Sequence, residues 1–259
     1  GGATRWLRFG MVSFQPSEFA RFALIVFLAY SLDKKGERLK KFSIGFVPHA
    51  AVLAMLGICI IIQPDYGSAA ILAALTWLMM FIGGVRCLHL FSSLVVFLLP
   101  AAYILLTSEN YRIQRILGFL DPWQHSADAG YQIVHSLMAF GTGGVWGAGI
   151  GQGYQKLFYL PEPHTDFIFS VIGEEFGLVG VLLIIVLYAW IILKGIHIAR
   201  QAPDTFGALT AVGLTIALAM QISINMGVSL NLLPTKGLTL PFLSYGGTSL
   251  LMNMAFVGI

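Results

Sequence analysis

Several acidic residues of this 259-residue chain lie at or inside long apolar stretches, where an ionised side chain is costly. They are Glu18, Asp166, Glu174 and Glu175. A carboxylate in such a place can serve as a general base, which takes the proton from a hydroxyl group as that group attacks. The sequence therefore points first to proton-transfer chemistry at carboxylates.

Of these acidic residues, Asp166 has the most residues near it in sequence that could take part in a reaction. Glu162 and His164 precede it closely, a glycine-rich segment lies upstream, and an apolar stretch starts at Phe167. One interpretation is a general base for a substrate outside the apolar layer. The other is a helix N-cap, because Asp and Thr both cap helices well, and spacing alone favours the cap.

The other carboxylates have structural interpretations that compete with functional ones. Glu18 and Arg21 are three positions apart, so they can pair on a helix; a structural ion pair facing the protein interior is favoured over catalysis. Glu174 and Glu175 point about 100° apart on a helix, so they are expected not to form one site. For them a hydrogen bond between helices is slightly favoured over a protonated functional carboxyl. Asp65 is predicted to cap a helix or a turn.

Composition places these residues in a membrane protein. Hydrophobic residues make up 57% of the chain and charged residues 10%, against about a quarter charged in soluble domains. The net charge of +3 excludes a typical nucleic-acid binder. Apolar stretches long enough to cross ~30 Å of hydrocarbon predict an all-α polytopic membrane protein with seven transmembrane helices, at 16–32, 43–62, 67–84, 88–106, 167–193, 206–231 and 242–259.

Basic residues predict the orientation of these helices. Loop 33–42 carries five Lys and Arg residues, and short loops of this kind stay cytoplasmic. The long loop 107–166 is then extracytoplasmic, and it is expected to contain short helices, one of them over 132–140. Within it, Gly141–Gly153 has seven glycines in thirteen residues. Segment 131–153 is either folded back over the outer mouth of the helices or an ordinary flexible loop.

Metal and nucleotide sites find little support. The six histidines show no close pairing with each other or with cysteine, which argues against zinc. The glycine-rich segment lacks the Lys-Ser/Thr ending of a phosphate-binding loop. Cys59 and Cys87 are predicted at opposite faces of the membrane, too far apart for a disulfide, and are expected to be free thiols.

A series of motifs spread in order over the whole chain resembles the SEDS family of cell-wall polymerases, the FtsW/RodA/SpoVE proteins. The motifs are Ala3–Trp6, Phe14–Phe19, Gln63–Gly67, Gly130–Gln132, Gln155–Glu162, His164–Phe169, Gly173–Glu175, Leu233–Pro241 and Ser244–Gly247. Gln155–Tyr159 and Pro234–Leu238 look more like the division branch, FtsW, than the elongation branch, RodA.

The resemblance implies a fold and a length. Family members have about ten spans, so residues 1–259 would be one SEDS-type transmembrane domain that lacks the N-terminal spans. The chain begins Gly1-Gly2 and ends inside an apolar run, which also predicts a piece of a longer protein. The implied location is the bacterial cytoplasmic (inner) membrane, with the active site on the extracytoplasmic side.

The resemblance also implies an activity, the polymerisation of lipid II into peptidoglycan on an undecaprenyl pyrophosphate-linked glycan. Asp166 would be the general base of an inverting glycosyl transfer. Basic residues or a divalent cation, Mg²⁺ or Mn²⁺, would neutralise the leaving pyrophosphate, with Arg5 and Lys156 as candidates and Arg112 and Arg115 as weaker ones. Substrate-binding roles are expected for Arg5, Trp6, Glu18, Arg21, Gln132, Lys156, His164 and Glu174.

The implied partners are a class B penicillin-binding protein acting as transpeptidase, other proteins of the divisome or elongasome, and membrane lipid; no nucleic acid is expected. Two other functions stay open, a lipid II transporter (flippase) and a non-catalytic scaffold for a transpeptidase. A transporter needs a polar path across the whole membrane. Glu18, Glu174 and Glu175 are predicted in the outer half and Arg21 only slightly deeper, which favours the polymerase.

Overall fold

A computed structural model of the chain describes residues 7–9, 12–63, 65–94 and 117–259, and most of them are helical. The helices are α1 (Pro16–Lys35), α2 (Phe42–Gly45), α3 (Val47–Ile62), α4 (Tyr66–Ile82), α5 (87–94), α6 (117–120), α7 (Tyr131–Gly143), α8 (Gln155–Phe158), α9 (Ile168–Gln201), α10 (Thr205–Ser229) and α11 (Gly247–Gly258). A 3₁₀ helix covers Gly36–Lys40. Strands β1 (Leu7–Phe9) and β2 (Val12–Phe14) form a short antiparallel ribbon that the sequence did not predict.

Three helices are long and apolar enough to cross a membrane: Phe42–Ile62 counted across α2 and α3, Ile168–Gln201 and Thr205–Ser229. Helices α4 and α11 are apolar but shorter. The prediction of an all-α polytopic membrane protein is confirmed. The predicted span 88–106 lies partly outside the described residues, and α11 begins five residues later than predicted because residues 241–246 form turns.

Local signals explain where the first helices begin and end. Helix α1 has Pro16 in its first turn together with Glu18, and Gly36 follows its last residue with a positive φ of 46°. Proline at the start, an acidic first turn and a glycine after the end are the usual helix boundaries. Asp65 caps α4, since its carboxylate accepts a hydrogen bond from the Ser68 backbone N–H at 3.1 Å. The predicted cap is therefore confirmed.

The described residues form two compact units, one within 1–100, 192–218 and 247–259 and the other within 101–191 and 219–246. In the first unit, α1 packs against α3, α4 and α11 through buried side chains such as Leu24 and Leu28. His49 is fully buried there. Its Nδ1 lies 2.6 Å from the Gly45 carbonyl, and its Nε2 lies 2.9 Å from the Ser31 hydroxyl. Because a carbonyl can only accept, Nδ1 carries the proton.

The second unit is organised around a break in α9. At Gly177 the backbone leaves the helical conformation, with φ 63° and ψ −161°. An unbroken helix would bond the N–H groups of residues 178 and 179 to the carbonyls of residues 174 and 175. Here those N–H groups donate to Gly144 and Val145, at 2.9 and 3.3 Å.

The carbonyls of Glu174 and Glu175 are also used at the break. They accept hydrogen bonds from the N–H groups of Ala148 and Gly149, at 2.9 and 3.2 Å. Segment 144–149 thus bonds to the two N–H groups and two carbonyls that an unbroken helix would pair with each other. Residues 144–149 are therefore bound to α9 and are not an ordinary flexible loop. That 131–153 covers the outer mouth of the helices stays a prediction.

Close approach makes glycine necessary on both sides of the break. A Cβ on Gly177 would lie 2.4 Å from the Gly147 nitrogen, and one on Gly147 would lie 2.1 Å from the Glu175 carbonyl oxygen. Neither distance is possible for real atoms. Both residues also have a positive φ, which L side chains rarely adopt.

We predict that Gly177→Ala lowers the free energy of unfolding by at least about 3 kcal/mol, because strain at positive φ adds to a backbone clash. The apparent melting temperature of the purified protein in detergent measures this loss. Gly141→Ala is the control, because a Cβ at Gly141 in α7 meets no atom within 4 Å. An equal melting temperature for both variants would contradict the prediction.

Candidate active site around Asp166

A tight turn before α9 positions Asp166. The Glu162 carbonyl accepts hydrogen bonds from the N–H groups of Thr165, Asp166 and Phe167, at 3.3, 3.2 and 3.4 Å. Phe167 is 3% exposed and packs in an apolar cluster with Leu160, Val171 and Val228. The residue after Asp166 is therefore buried, and the backbone of Asp166 has little freedom to move.

A second loop, residues 236–245, lies against this turn. The Tyr245 N–H donates to the His164 carbonyl at 2.8 Å. The Ser244 hydroxyl donates to the Thr165 carbonyl and accepts from the Leu240 N–H at 2.7 Å. Backbone groups on both loops are thereby satisfied, and the two loops are held together on either side of Asp166.

The Asp166 carboxylate lies against Gly237. A Cβ on Gly237 would be 2.8 Å from Asp166 Oδ2, so any other residue there would displace the carboxylate. Among the described residues, no side chain or backbone group donates a hydrogen bond to this carboxylate. In particular, the first N–H groups of α9 do not, so the helix cap that spacing favoured is not observed.

Partial burial changes the acidity of Asp166. Loss of water around the carboxylate, and secondly the negative charge of Glu162, raise the pKa of Asp166 to about 6. Both effects disfavour the ionised form. A carboxylate with this pKa is still mostly ionised at neutral pH and holds a proton more readily than an ordinary aspartate.

Glu174 and Glu175 both contact the short segment that contains α8. Glu174 Oε1 accepts hydrogen bonds from the N–H groups of Tyr154 and Gln155, at 2.9 and 3.2 Å. Glu175 forms an ion pair with Lys156. The two carboxylates therefore have separate partners on one short segment, backbone N–H groups for Glu174 and the Lys156 side chain for Glu175.

The ion pair with Glu175 bears on the prediction that Lys156 binds the pyrophosphate. The charge of Lys156 is already balanced by Glu175, and both side chains are largely buried. Arg5, Trp6, Arg112 and Arg115 lie outside the described residues. The role of Lys156 in binding substrate stays a prediction, and so does that of Glu174.

The remaining predicted site residues occupy different places. Gln132 is partly exposed on α7, and the exposed His164 lies in the turn before Asp166. Glu18 and Arg21 belong to the other unit, where they form a buried ion pair at 2.8 Å. This confirms that the pair is buried in the protein; its role in substrate binding stays a prediction.

A resident metal ion does not fit the described residues by themselves. No group of three or more His, Cys, Asp or Glu side chains among them is arranged to hold a metal. Asp166 has one acidic neighbour, Glu162. The expected Mg²⁺ or Mn²⁺ stays a prediction. Cys59 and Cys87 are exposed free thiols, as predicted.

Two residues at the site were not singled out from the sequence. Gly237 contacts the carboxylate, and Asn225 of α10 donates hydrogen bonds to the carbonyls of Asp166 and Leu238. Gly237 lies in the motif Leu233–Pro241, so its glycine was a usable signal. Asn225 lies in an apolar helix, where a buried amide needs hydrogen-bond partners.

Comparison with known proteins gives a consistent result. The family FtsW/RodA/SpoVE, described as cell cycle protein, matches residues 1–259. A protein of Geobacter metallireducens named "probable peptidoglycan glycosyltransferase FtsW" is 48% identical over 258 residues, covering 100% of this chain and 68% of that protein. Stage V sporulation protein E of Bacillus subtilis is 43% identical, covering 100% of this chain and 70% of that protein.

Solved structures show the same fold. A chain from a peptidoglycan synthase complex, described as coordinating polymerization and crosslinking, superposes with a TM-score of 0.81 at 30% identity, covering 100% of this chain and 72% of that one. The rod shape determining protein RodA of Thermus thermophilus gives a TM-score of 0.67 at 26% identity, covering 100% and 68%.

We predict that Glu162→Gln lowers the pKa of Asp166, because it removes a neighbouring negative charge while keeping an acceptor for the Thr165 hydroxyl. Carbodiimide labels the protonated carboxyl, so labelling of Asp166, followed by peptide mass spectrometry, falls as pH rises through this pKa. The midpoint should be about pH 6 in the wild type and lower in the variant. Glu37→Gln is the control, and a midpoint that moves equally in both variants would contradict the prediction.

Proposed function

Because this chain belongs to the FtsW/RodA/SpoVE family, we propose that it is a peptidoglycan glycosyltransferase that polymerises lipid II with Asp166 as the general base. Relatives that the chain matches along its whole length are named peptidoglycan glycosyltransferases. The observation that carries the role of Asp166 is its carboxylate, which is partly buried against Gly237 and accepts no hydrogen bond from any described residue.

In the proposed reaction, the 4-hydroxyl of the GlcNAc unit of lipid II attacks C1 of the MurNAc at the end of the growing glycan. The new O4–C1 bond forms as the bond from C1 to the pyrophosphate oxygen breaks. Undecaprenyl pyrophosphate leaves with the electron pair, and Asp166 accepts the hydroxyl proton. Attack from the face opposite the leaving group inverts C1, so one base is sufficient and no covalent enzyme intermediate forms.

The charge that develops on pyrophosphate needs a cation. Arg5 and Lys156 were the candidates from sequence, but the pairing of Lys156 with Glu175 makes it the weaker of the two. Lys236 is partly buried and precedes Gly237, so it brings a positive charge to the loop that contacts Asp166. We therefore add Lys236 to Arg5 as a candidate for this role.

The setting of the reaction follows from the same proposal. We place the site on the extracytoplasmic side of the cytoplasmic membrane, as the basic loop 33–42 predicts. A class B penicillin-binding protein is the proposed transpeptidase partner. It is supported by the likeness to a chain from a complex that combines polymerization and crosslinking. Relatives named FtsW favour cell division over elongation.

We predict that Asp166→Asn lowers the rate of lipid II polymerisation at least about 100-fold, because the amide cannot accept the hydroxyl proton. The measurement is glycan formation by the full-length protein with its partner, at equal amounts of folded protein. Asp204→Asn is the matched control, since Asp204 caps α10 through the Gly207 N–H and lies on the surface.

Three outcomes decide between the functions. Unchanged polymerisation by Asp166→Asn would remove the base role and favour a structural one. A wild type that makes no glycan but moves labelled lipid II between leaflets would establish the transporter. A wild type that does neither but still recruits its transpeptidase would establish the scaffold.

The pH dependence of kcat/KM should show an acid limb near pH 6. The base must be ionised, and Asp166 becomes protonated as the pH falls through its pKa of about 6. Initial rates of the wild type between pH 5 and 8 test this. A limb near pH 4, the value of an ordinary aspartate, would show that the group responsible is not the partly buried carboxylate.

A further inference from the structure

We propose that Asn225 is a positioning residue that holds Asp166 in place for proton transfer, by binding the two loops that flank the carboxylate. The proposal rests on the function proposed for Asp166. Asn225 does not contact the carboxylate itself, so it would act through the backbone and not as a catalytic residue.

The contacts of Asn225 are unusual for one side chain. Its Nδ2 donates a hydrogen bond to the Asp166 carbonyl at 2.8 Å and another to the Leu238 carbonyl at 2.5 Å. The residue is 1% exposed, so both bonds are shielded from water. One amide group thus fixes the backbone that carries the carboxylate and the backbone next to Gly237, which the carboxylate touches.

The chemistry of the site requires an amide. The two carbonyls can only accept, so the NH₂ group must face them, and a flipped amide would place its oxygen against both. Asn225 Oδ1 is buried and has no hydrogen-bond partner among the described residues. A buried acceptor without a partner costs free energy, so this orientation is held by the two donated bonds.

The consequence appears at the carboxylate. With Leu238 held, the backbone of Gly237 stays close to Asp166, where a Cβ would lie 2.8 Å from Oδ2. If Asn225 is removed, the loops can separate and water can reach the carboxylate. The titratable groups on the surrounding elements are Glu162, His164, Lys236 and Tyr245, and the substitution leaves all of them in the chain.

Gln221 provides a matched control on the same helix. It lies four residues before Asn225, is 2% exposed, and donates from Nε2 to the Thr239 carbonyl at 2.8 Å. It therefore holds the same loop through the same kind of bond, but it has no hydrogen bond to Asp166 among the described residues. Comparison with Gln221 therefore separates the loss of a bond to loop 236–245 from the loss of the bond to the Asp166 backbone.

The experiment compares Asn225→Ala and Gln221→Ala in the full-length protein with its partner. Misplacing a catalytic group by about 1 Å can cost 100-fold in rate. We expect Asn225→Ala to lower kcat at least about 10-fold with KM changed less than about threefold. Gln221→Ala should keep kcat within about threefold of the wild-type value. Its melting temperature should fall about as much as that of Asn225→Ala, because each variant loses buried hydrogen bonds. Equal kcat losses in the two variants would overturn the proposal.

A second readout does not depend on activity. Carbodiimide labelling of Asp166 should shift to lower pH in Asn225→Ala, because a rehydrated carboxylate has a lower pKa, and should be unchanged in Gln221→Ala. If the wild type does not polymerise lipid II, the proposed function fails, and labelling alone decides whether Asn225 holds Asp166. Identical labelling profiles would overturn the proposal. Asn225→Ser keeps one donor and replaces Asn225→Ala if that variant does not fold.

Discussion

The break in α9 at Gly177 is the constraint on which the second unit depends. Backbone groups without partners cost several kcal/mol each where water is excluded. The break releases two N–H groups and two carbonyls, and segment 144–149 binds all four. A glycine-rich sequence is needed there because two backbones must approach without intervening side chains, as at Gly147. The unusual composition of this segment is therefore explained by geometry.

The turn of α9 that contains Glu174 and Glu175 also binds the segment that leads to Asp166. Glu174 and Glu175 use their carbonyls on residues 148 and 149 and their side chains on residues 154 to 156. Four residues later the chain reaches Leu160, which is buried beside Phe167. One turn of helix thus fixes the segment that leads into the tight turn carrying Asp166. The position of the Asp166 carboxylate therefore depends on contacts of residues 148–156, which precede it in the sequence.

Sequence reasoning identified some of these features and missed others for physical reasons. The helices, the Asp65 cap and the buried pair of Glu18 and Arg21 follow from local periodicity and spacing. The break at Gly177 could not be predicted, because a glycine in an apolar helix is common and its conformation is set by a partner some 30 residues away. Asn225 was missed for the same reason, since the two carbonyls to which it donates hydrogen bonds are not close to it in sequence.

Chain order has a consequence for the biosynthesis of this protein. Segment 144–149 leaves the ribosome before α9 does, since synthesis runs from the N-terminus. When the interrupted helix emerges, the segment that bonds to its backbone groups has already been made. In the reverse order, the two N–H groups and two carbonyls at the break would enter the membrane before their hydrogen-bond partners had been synthesised. A circular permutation that moved the glycine-rich segment behind α9 would therefore burden insertion even if the final contacts were the same.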